Sequence, residues 1–428
     1  MRGYTGLVTI TDLRPTTGPL SGVITPGREL PKIVSVDDHV IEPPTLWTDR
    51  LPAKYADVAP RVERHGLGDL AFNGTKYTYT IDEDGAPCDW WRYEDLMIPL
   101  RRIIAAVGFP RDQVTLSPIT YDEMRPGCWN QADRLTDMDT DWVEASLVFP
   151  TFPRFCGQTF YEAKDRELAD LCVKAYNDWM VEDWCGGAGK GRLIPLCLIP
   201  LWSAEEAAAE VRRNAARGVR AVCFSEIPPH LGLPSIHSKY WDPFFDACNE
   251  TATVVCMHIG SSSQMPATSA DAPAAVQATL SFNNSMSSLS DFLWSGVFDR
   301  FTDLKLAYSE GQIGWIPYAI ERADDVWRQH GAWAQGEKLL RPPSEYYHEH
   351  VFGCFFRDYH GVRSLEEVGI DNVTFETDYP HSDSSWPDTK AVATDMFANL
   401  PDDVVYKIVR GNAIRMLSLD LDLDRGLD

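Results

Sequence analysis

The chain has 428 residues, 44% of them hydrophobic and 24% charged, the balance of a folded globular protein with one large or two to three smaller domains. Its 39 basic residues face 63 acidic ones, a formal net charge of −24 that disfavours nucleic-acid phosphates and anionic lipid as partners. It contains no run of 18 apolar residues, so a membrane span is not expected.

The first residues, MRGYTGLVTITDLRPTTGPLSG, lack the compact apolar stretch of a signal peptide. The ten cysteines include no CxxC pair. Cys197, Cys223 and Cys256 sit inside apolar runs, where a free thiol behaves as a small hydrophobe. This usage is expected of a reducing cytoplasm.

Residues 1–31 read as an N-terminal extension and 32–428 as the body. Strands are predicted at 33–37, 145–149, 193–199, 220–224, 253–258, 304–308, 350–355 and 373–378. Most are continuous apolar runs, the pattern of parallel strands buried on both faces. Helices are predicted at 131–141, 161–183, 242–251, 314–329 and 402–417. The clearest, SAEEAAAEVRRNAARG, starts on a capping box of Ser203 and Glu206 and ends toward Gly218, a left-handed stop. Strand then helix, about eight times over, predicts an α/β fold, a (β/α)8 TIM barrel. Two stretches break the rhythm. Residues 43–130, rich in Pro, Gly and aromatics, read as an inserted lid or subdomain after strand one, because a structureless loop that long is uncommon. Residues 260–284 read as a second loop over the site. GGAGKG at 186–191 lacks phosphate-loop spacing and precedes a strand, so it reads as a turn.

Such barrels carry their chemistry where strands end. Strand one ends in Asp37-x-His39, and period two places both side chains on one side. Strand five ends at His258, strand six at Glu310, and strand eight at Asp378 with His381 three residues on. Three imidazoles and three carboxylates form a ligand set for a divalent metal such as Zn, Mn or Fe. Glu226 follows strand four, but beside Pro228 and Pro229 it reads as a loop-shaping residue.

These residues resemble a known family. Asp37-x-His39, the strand-end His258 and TDYPHSDSSWP at 377–387 are similar to the amidohydrolase-related family. That is the branch of the amidohydrolase superfamily containing the aminocarboxymuconate-semialdehyde and resorcylate decarboxylases. RPGCWN (125–130), RLTDMDTDWVEASLVFP (134–150) and EGQIGWIPYAIER (310–322) resemble its longer members. The likeness runs from about Lys32 to Leu417, less the aromatic insertion. It implies the barrel and metal dependence and leaves the reaction open among hydrolases, decarboxylases and oxygenases. One departure stands out. Where the decarboxylase branch carries a His followed by glycines at strand six, this chain has Glu310 in SEGQIGW.

The resemblance therefore implies three readings. In the first, Asp37, His39, His258, Glu310, Asp378 and His381 hold two cations, Fe/Fe or Fe/Mn, as in the family's dinuclear monooxygenases. O2 is then a co-substrate, a C–H bond is hydroxylated, and Glu310 and His381 are the catalytic residues. In the second, Asp37, His39, His258 and Asp378 hold one Zn or Mn ion for hydrolysis or decarboxylation of a carboxylated ring, with Glu310 as general base. In the third, the chain is a supporting paralogue of an active subunit. Arg125 is a candidate clamp for a substrate carboxylate, since guanidinium matches that group bidentately, with a loop salt bridge as the plainer reading. A small-molecule substrate and association with a copy or a paralogue are expected in each case.

Overall fold

The structure is a computed structural model that describes residues 20, 22–72, 77–336 and 338–421. Most of the expected extension 1–31 lies outside the described residues. Strand β1 (Ile33–Val40) is buried along its whole length, polar residues included. It is followed by β2 (Arg61–Phe72), β3 (Tyr77–Ile81), β4 (Ala86–Tyr93) and β5 (Leu96–Pro99). These four form an antiparallel sheet in the order β3-β2-β4-β5. The stretch expected as a lid thus has its own strands, between the first and second strands of the body.

The body is built from parallel strands. β1 pairs with β6 (Val143–Pro150), and β6 with β7 (Leu193–Ile194). A second parallel sheet runs in chain order through β8 (Leu196–Cys197), β9 (Ala221–Cys223), β10 (Val254–His258), β11 (Leu306–Ser309), β12 (Val351–Phe355) and β13 (Val373–Phe375). The strand expected at 193–199 is split at Pro195, which has no N–H to donate to a ladder. The strand expected to reach 378 ends at Phe375. Beyond it the chain is still tied to β1, because Asp378 N–H donates to Asp37 O (3.0 Å) and His39 N–H donates to Tyr379 O (2.6 Å).

Helices follow the strands. Asn130 caps α1 (Gln131–Thr140), its side chain accepting from Asp133 N–H, and Asp165 caps α2 (Arg166–Trp179) on Leu168 N–H. The segment expected as one helix over 161–183 is shorter, and ends in a π-turn over Met180–Trp184. Helix α3 (Ala204–Ala215) begins on Ser203 Oγ, which accepts from Glu206 N–H. The reciprocal half of the capping box is absent, because the Glu206 carboxylate accepts instead from the Trp202 indole. Gly218 does adopt positive φ (+94°) just past the helix. α4 (Asp242–Thr251) matches expectation, and α5 (Asn283–Trp294) and a short helix at Ala274–Thr279 occupy the loop after β10. The expected helix 402–417 is interrupted by a π-turn at Lys407–Gly411. GGAGKG forms a short 3-10 turn at Gly187–Gly189 before β7.

Alternation in β4 joins the two parts. Trp91 and Tyr93 face the body, where Trp91 stacks on Phe152 (4.8 Å between centroids) and meets Trp47 edge-on. Cys88 and Trp90 face the other way, into a small separate cluster with Leu67, Tyr79 and Met97. All ten cysteines are free and buried.

Candidate metal centre

β1 delivers Asp37 and His39, β10 ends on His258, and the turn after β11 brings Glu310. The segment after β13 brings Asp378 and His381. All six predicted ligands meet. One atom each of Asp37, His39, His258 and Glu310 falls within a 4.8 Å sphere of mutual distances, and so does one atom each of His39, Glu310, Asp378 and His381. The two groups share His39 and Glu310.

The distances have a clear chemical sense. His258 Nδ1 lies 2.7 Å from the carbonyl of Ile259, which can only accept. Nδ1 therefore carries the proton and Nε2 presents a lone pair. That lone pair faces two carboxylate acceptors, Asp37 Oδ2 at 3.4 Å and Glu310 Oε2 at 3.7 Å, with His39 Nε2 at 3.2 Å. His39 Nε2 is 3.6 Å from both Asp37 Oδ1 and Asp378 Oδ1. His381 Nδ1 is 3.2 Å from Asp378 Oδ1, and its ring stacks on His39 at 3.7 Å. Both carboxylate oxygens of Asp37 and of Asp378, and His381 Nε2, are buried without a hydrogen bond. Buried polar atoms are normally satisfied. A cation satisfies such converging acceptors at once, so these residues fit a divalent metal with mixed N/O ligands.

Ionisation points the same way. Burial, then repulsion from Glu376, Glu310 and Asp378, pushes the Asp37 carboxyl well above its usual range. Burial likewise raises Glu310, Glu376 and Asp378. Burial drives His39 well below its usual value, His258 down to about 3 and His381 down to about 4. The imidazoles are thus neutral, the form that ligates, and the crowded carboxylates lack a positive partner. Two groups keep contact with solvent: the Glu310 and His381 side chains are 12% and 14% exposed, against 0% for Asp37, His39 and Asp378. They mark the open side of the centre. Glu310 and Asp378 both hold positive φ (53° and 50°), a conformation rare outside Gly and found at functional turns.

Several residues the sequence reading passed over support this centre. Asp38 points away from Asp37 and His39. It accepts from Ser35 Oγ, Ser146 Oγ, Thr377 Oγ1 and Tyr379 N–H, and so stitches β1 to β6 and to the segment after β13. Buried Arg134 donates to His39 O (2.5 Å) and Gly127 O (2.8 Å) and lies on the Tyr379 ring. Phe155 stacks flat on His258 at 4.1 Å. Glu376 is fully buried, and its Oε2 accepts the N–H of Glu310 (3.2 Å) while Oε1 has no partner. Period two in TFETD, applied as in Asp37-x-His39, would have paired Glu376 with Asp378.

Two predicted residues stand outside the cluster. Arg125 forms the loop salt bridge that was its plainer reading: Nε and Nη2 meet buried Asp137 at 2.7 and 2.6 Å, and it lies over Trp386. Glu226 anchors the loop after β10, its Oε1 accepting from Gly260 N–H, Ser262 Oγ and Asn284 Nδ2, each at 3.0 Å.

A family model described as amidohydrolase matches residues 81–419. The chain belongs to the amidohydrolase family. The match contains His258, Glu310, Asp378 and His381, whereas Asp37 and His39 precede it. No curated protein matches the sequence. Among solved structures, this amidohydrolase is similar to one from Mycobacterium avium subsp. paratuberculosis K-10, with 19% identity, TM-score 0.63, and 92% of this chain and 100% of that chain covered. It is also similar to 5-carboxyvanillate decarboxylase from Novosphingobium aromaticivorans, solved with manganese and 4-hydroxy-3-methoxy-5-nitrobenzoic acid (18% identity, TM-score 0.57, 74% and 86% covered). A third is 2,6-dihydroxybenzoate decarboxylase from Rhizobium (19% identity, TM-score 0.56, 73% and 96% covered). At these identities the likeness concerns the fold. No helix among the described residues is long and apolar enough to cross a membrane.

Proposed function

We propose that this amidohydrolase is a metal-dependent decarboxylase of a carboxylated aromatic ring, on a closed (β/α)8 barrel with residues 43–130 as the inserted lid. The observation that carries this reading is the convergence of Asp37, His39, His258 and Glu310, and of His39, Glu310, Asp378 and His381, on one spot where the Asp37 and Asp378 carboxylates have no hydrogen-bond partner. The decarboxylase chemistry of the similar structures supports it over the oxygenase expectation, and manganese in one of them favours Mn over Fe. When bound, the metal supplies Lewis-acid stabilisation of negative charge on the substrate.

This chain's residues supply the rest. His258 is held by Ile259 O and Phe155, so its free lone pair keeps one direction. His381, on the open side and 3.2 Å from Asp378 through Nδ1, orients that carboxylate; with its pKa driven down to about 4, it is neutral and has no proton to give the ring carbon. Glu310, also on the open side, occupies the position of the family's catalytic His. It orients the substrate rather than donating a proton, because a carboxylate beside a cation stays ionised. Phe149 and Phe155 flank the imidazoles and keep water from the reacting carbon.

A second reading keeps two cations. The two overlapping ligand groups favour it, as does the charge count. Asp37, Glu376 and Asp378 are buried and Glu310 nearly so, four carboxylates and twice the charge that one divalent ion offsets. Manganese-loaded protein incubated with 2,6-dihydroxybenzoate and 5-carboxyvanillate tests the first reading. CO2 release abolished by chelator supports it. Oxygen consumption without CO2 release moves the assignment to the oxygenase.

A further inference from the structure

The peptide group between Ile259 and Gly260 is hydrogen-bonded at both ends. Its carbonyl accepts from His258 Nδ1 at 2.7 Å, the contact that fixes the tautomer and leaves Nε2 free to ligate. Its N–H donates to Glu226 Oε1 at 3.0 Å. A peptide unit is planar, so a partner that fixes the N–H also fixes the direction of the C=O. Glu226 therefore reaches a metal-binding imidazole through one rigid group without touching it.

The surroundings hold this connection in place. Glu226 lies three residues past β9, the parallel neighbour of β10, and is 2% exposed. Its own N–H donates to Ser261 Oγ at 2.9 Å. Among the described residues no cation pairs with it, and a buried carboxylate without one is costly unless donors surround it. The three donors on Oε1 are the Gly260 N–H, Ser262 Oγ and Asn284 Nδ2. Two of them grip the feet of loop 260–284, and the first is the peptide that holds His258. Gly260 has φ +83°, and a Cβ there would lie 3.0 Å from Phe155, the ring stacked on His258. Phe155 thus presses on this turn from one side while Glu226 holds its N–H from the other.

We propose that Glu226 is a positioning residue of the metal centre: by accepting the Gly260 N–H it sets the Ile259 carbonyl against His258 Nδ1, and so fixes the tautomer and direction of the His258 ligand. The role rests on the metal centre alone and holds whichever reaction the metal serves. Outer partners of this kind tune a ligand that they never touch. Glu226 also anchors the loop, through Ser262 and Asn284, and mutation separates the two tasks.

The experiment pairs two readouts. Manganese affinity is measured by competition with a chelator, and the His258 tautomer by NMR of metal-free, 15N-histidine-labelled protein. Wild type is expected to show His258 protonated at Nδ1 alone. Glu226→Leu should weaken manganese binding about 10- to 100-fold and give His258 as a mixture of tautomers. Glu226→Gln keeps an acceptor oxygen and should restore both. Asn284→Ala releases the far foot of the loop, leaves the acceptor for Gly260 in place, and should change neither. Glu226→Asp withdraws the carboxylate by one methylene and serves if the Leu variant does not fold, with smaller shifts in the same direction. An unchanged tautomer and affinity in the Leu or Asp variant overturns the assignment. Equal losses in the Leu and Asn284→Ala variants reduce Glu226 to a loop anchor and overturn it as well. A wild type that holds no manganese overturns the metal centre, and the tautomer then decides what Glu226 does.

Discussion

The parallel body and the antiparallel sheet differ in how their polar residues are used. In the body, β1 buries Asp37, Asp38 and His39 with no solvent contact, and the cost is met by a designed meeting point. In the antiparallel sheet, even the buried Asp89 of a central strand is paired locally, with Arg64 at 2.7 Å, and Arg64 also reaches Asp122. The body concentrates unsatisfied acceptors, while the sheet disperses satisfied ones. The lesson is that function here is legible as unfinished hydrogen bonding.

The largest effect should come from breaking the body's meeting point. Asp378→Asn removes a carboxylate from the ligand set, and activity is expected to fall by about a thousandfold or more, the scale of lost electrostatic stabilisation. Fold, read by circular dichroism, should persist. Loss of fold with retained metal would mean Asp378 serves structure instead.

The seam between the two regions comes next. Trp91→Ala removes the ring stacked on Phe152, and about 3–5 kcal/mol of global stability should go with it. Trp90→Ala should loosen only the small cluster, visible as faster hydrogen exchange in β2–β5 with little change in the melting of the body. Equal global losses from both would erase the distinction between the regions.

Glu376 sharpens the picture inside the body. If it positions Glu310 by accepting its N–H, Glu376→Gln keeps an acceptor and metal affinity, whereas Glu376→Leu loses about 10- to 100-fold. A Gln variant as weak as Leu would assign the effect to charge.

The smallest effect is a pH slope. Burial raises Glu42, Asp141 and Glu226 each to about 7. The folded state therefore keeps protons that the unfolded chain releases near pH 4. Stability should fall as pH rises from about 4 to 7, by about 1.4 kcal/mol per unit for each group, and level off above. In metal-loaded protein, Glu42→Gln should make that slope shallower by one group's share.

Much of this was readable in sequence. The parallel strands announced themselves as apolar runs, and six ligand candidates followed from asking what each strand ends on. Asp38 was passed over because its role is to face the neighbouring strands, a contact no local pattern records. Glu376 was missed though its spacing from Asp378 was in view. Of the two readings of Arg125, a clamp or a loop salt bridge, the structure shows the salt bridge, with Asp137 twelve residues on, a partner that no local pattern named. The antiparallel sheet was anticipated as structure but not as strands, since its tight turns and aromatics mask the alternation in APCDWWRY.

The most direct test of the central claim is elemental analysis of purified wild type beside His258→Ala. The account predicts at least about one divalent cation per chain in wild type and its loss in the variant, since His258 Nε2 is the lone pair that His39 and Asp37 converge upon. Equal metal content in the two proteins would contradict it.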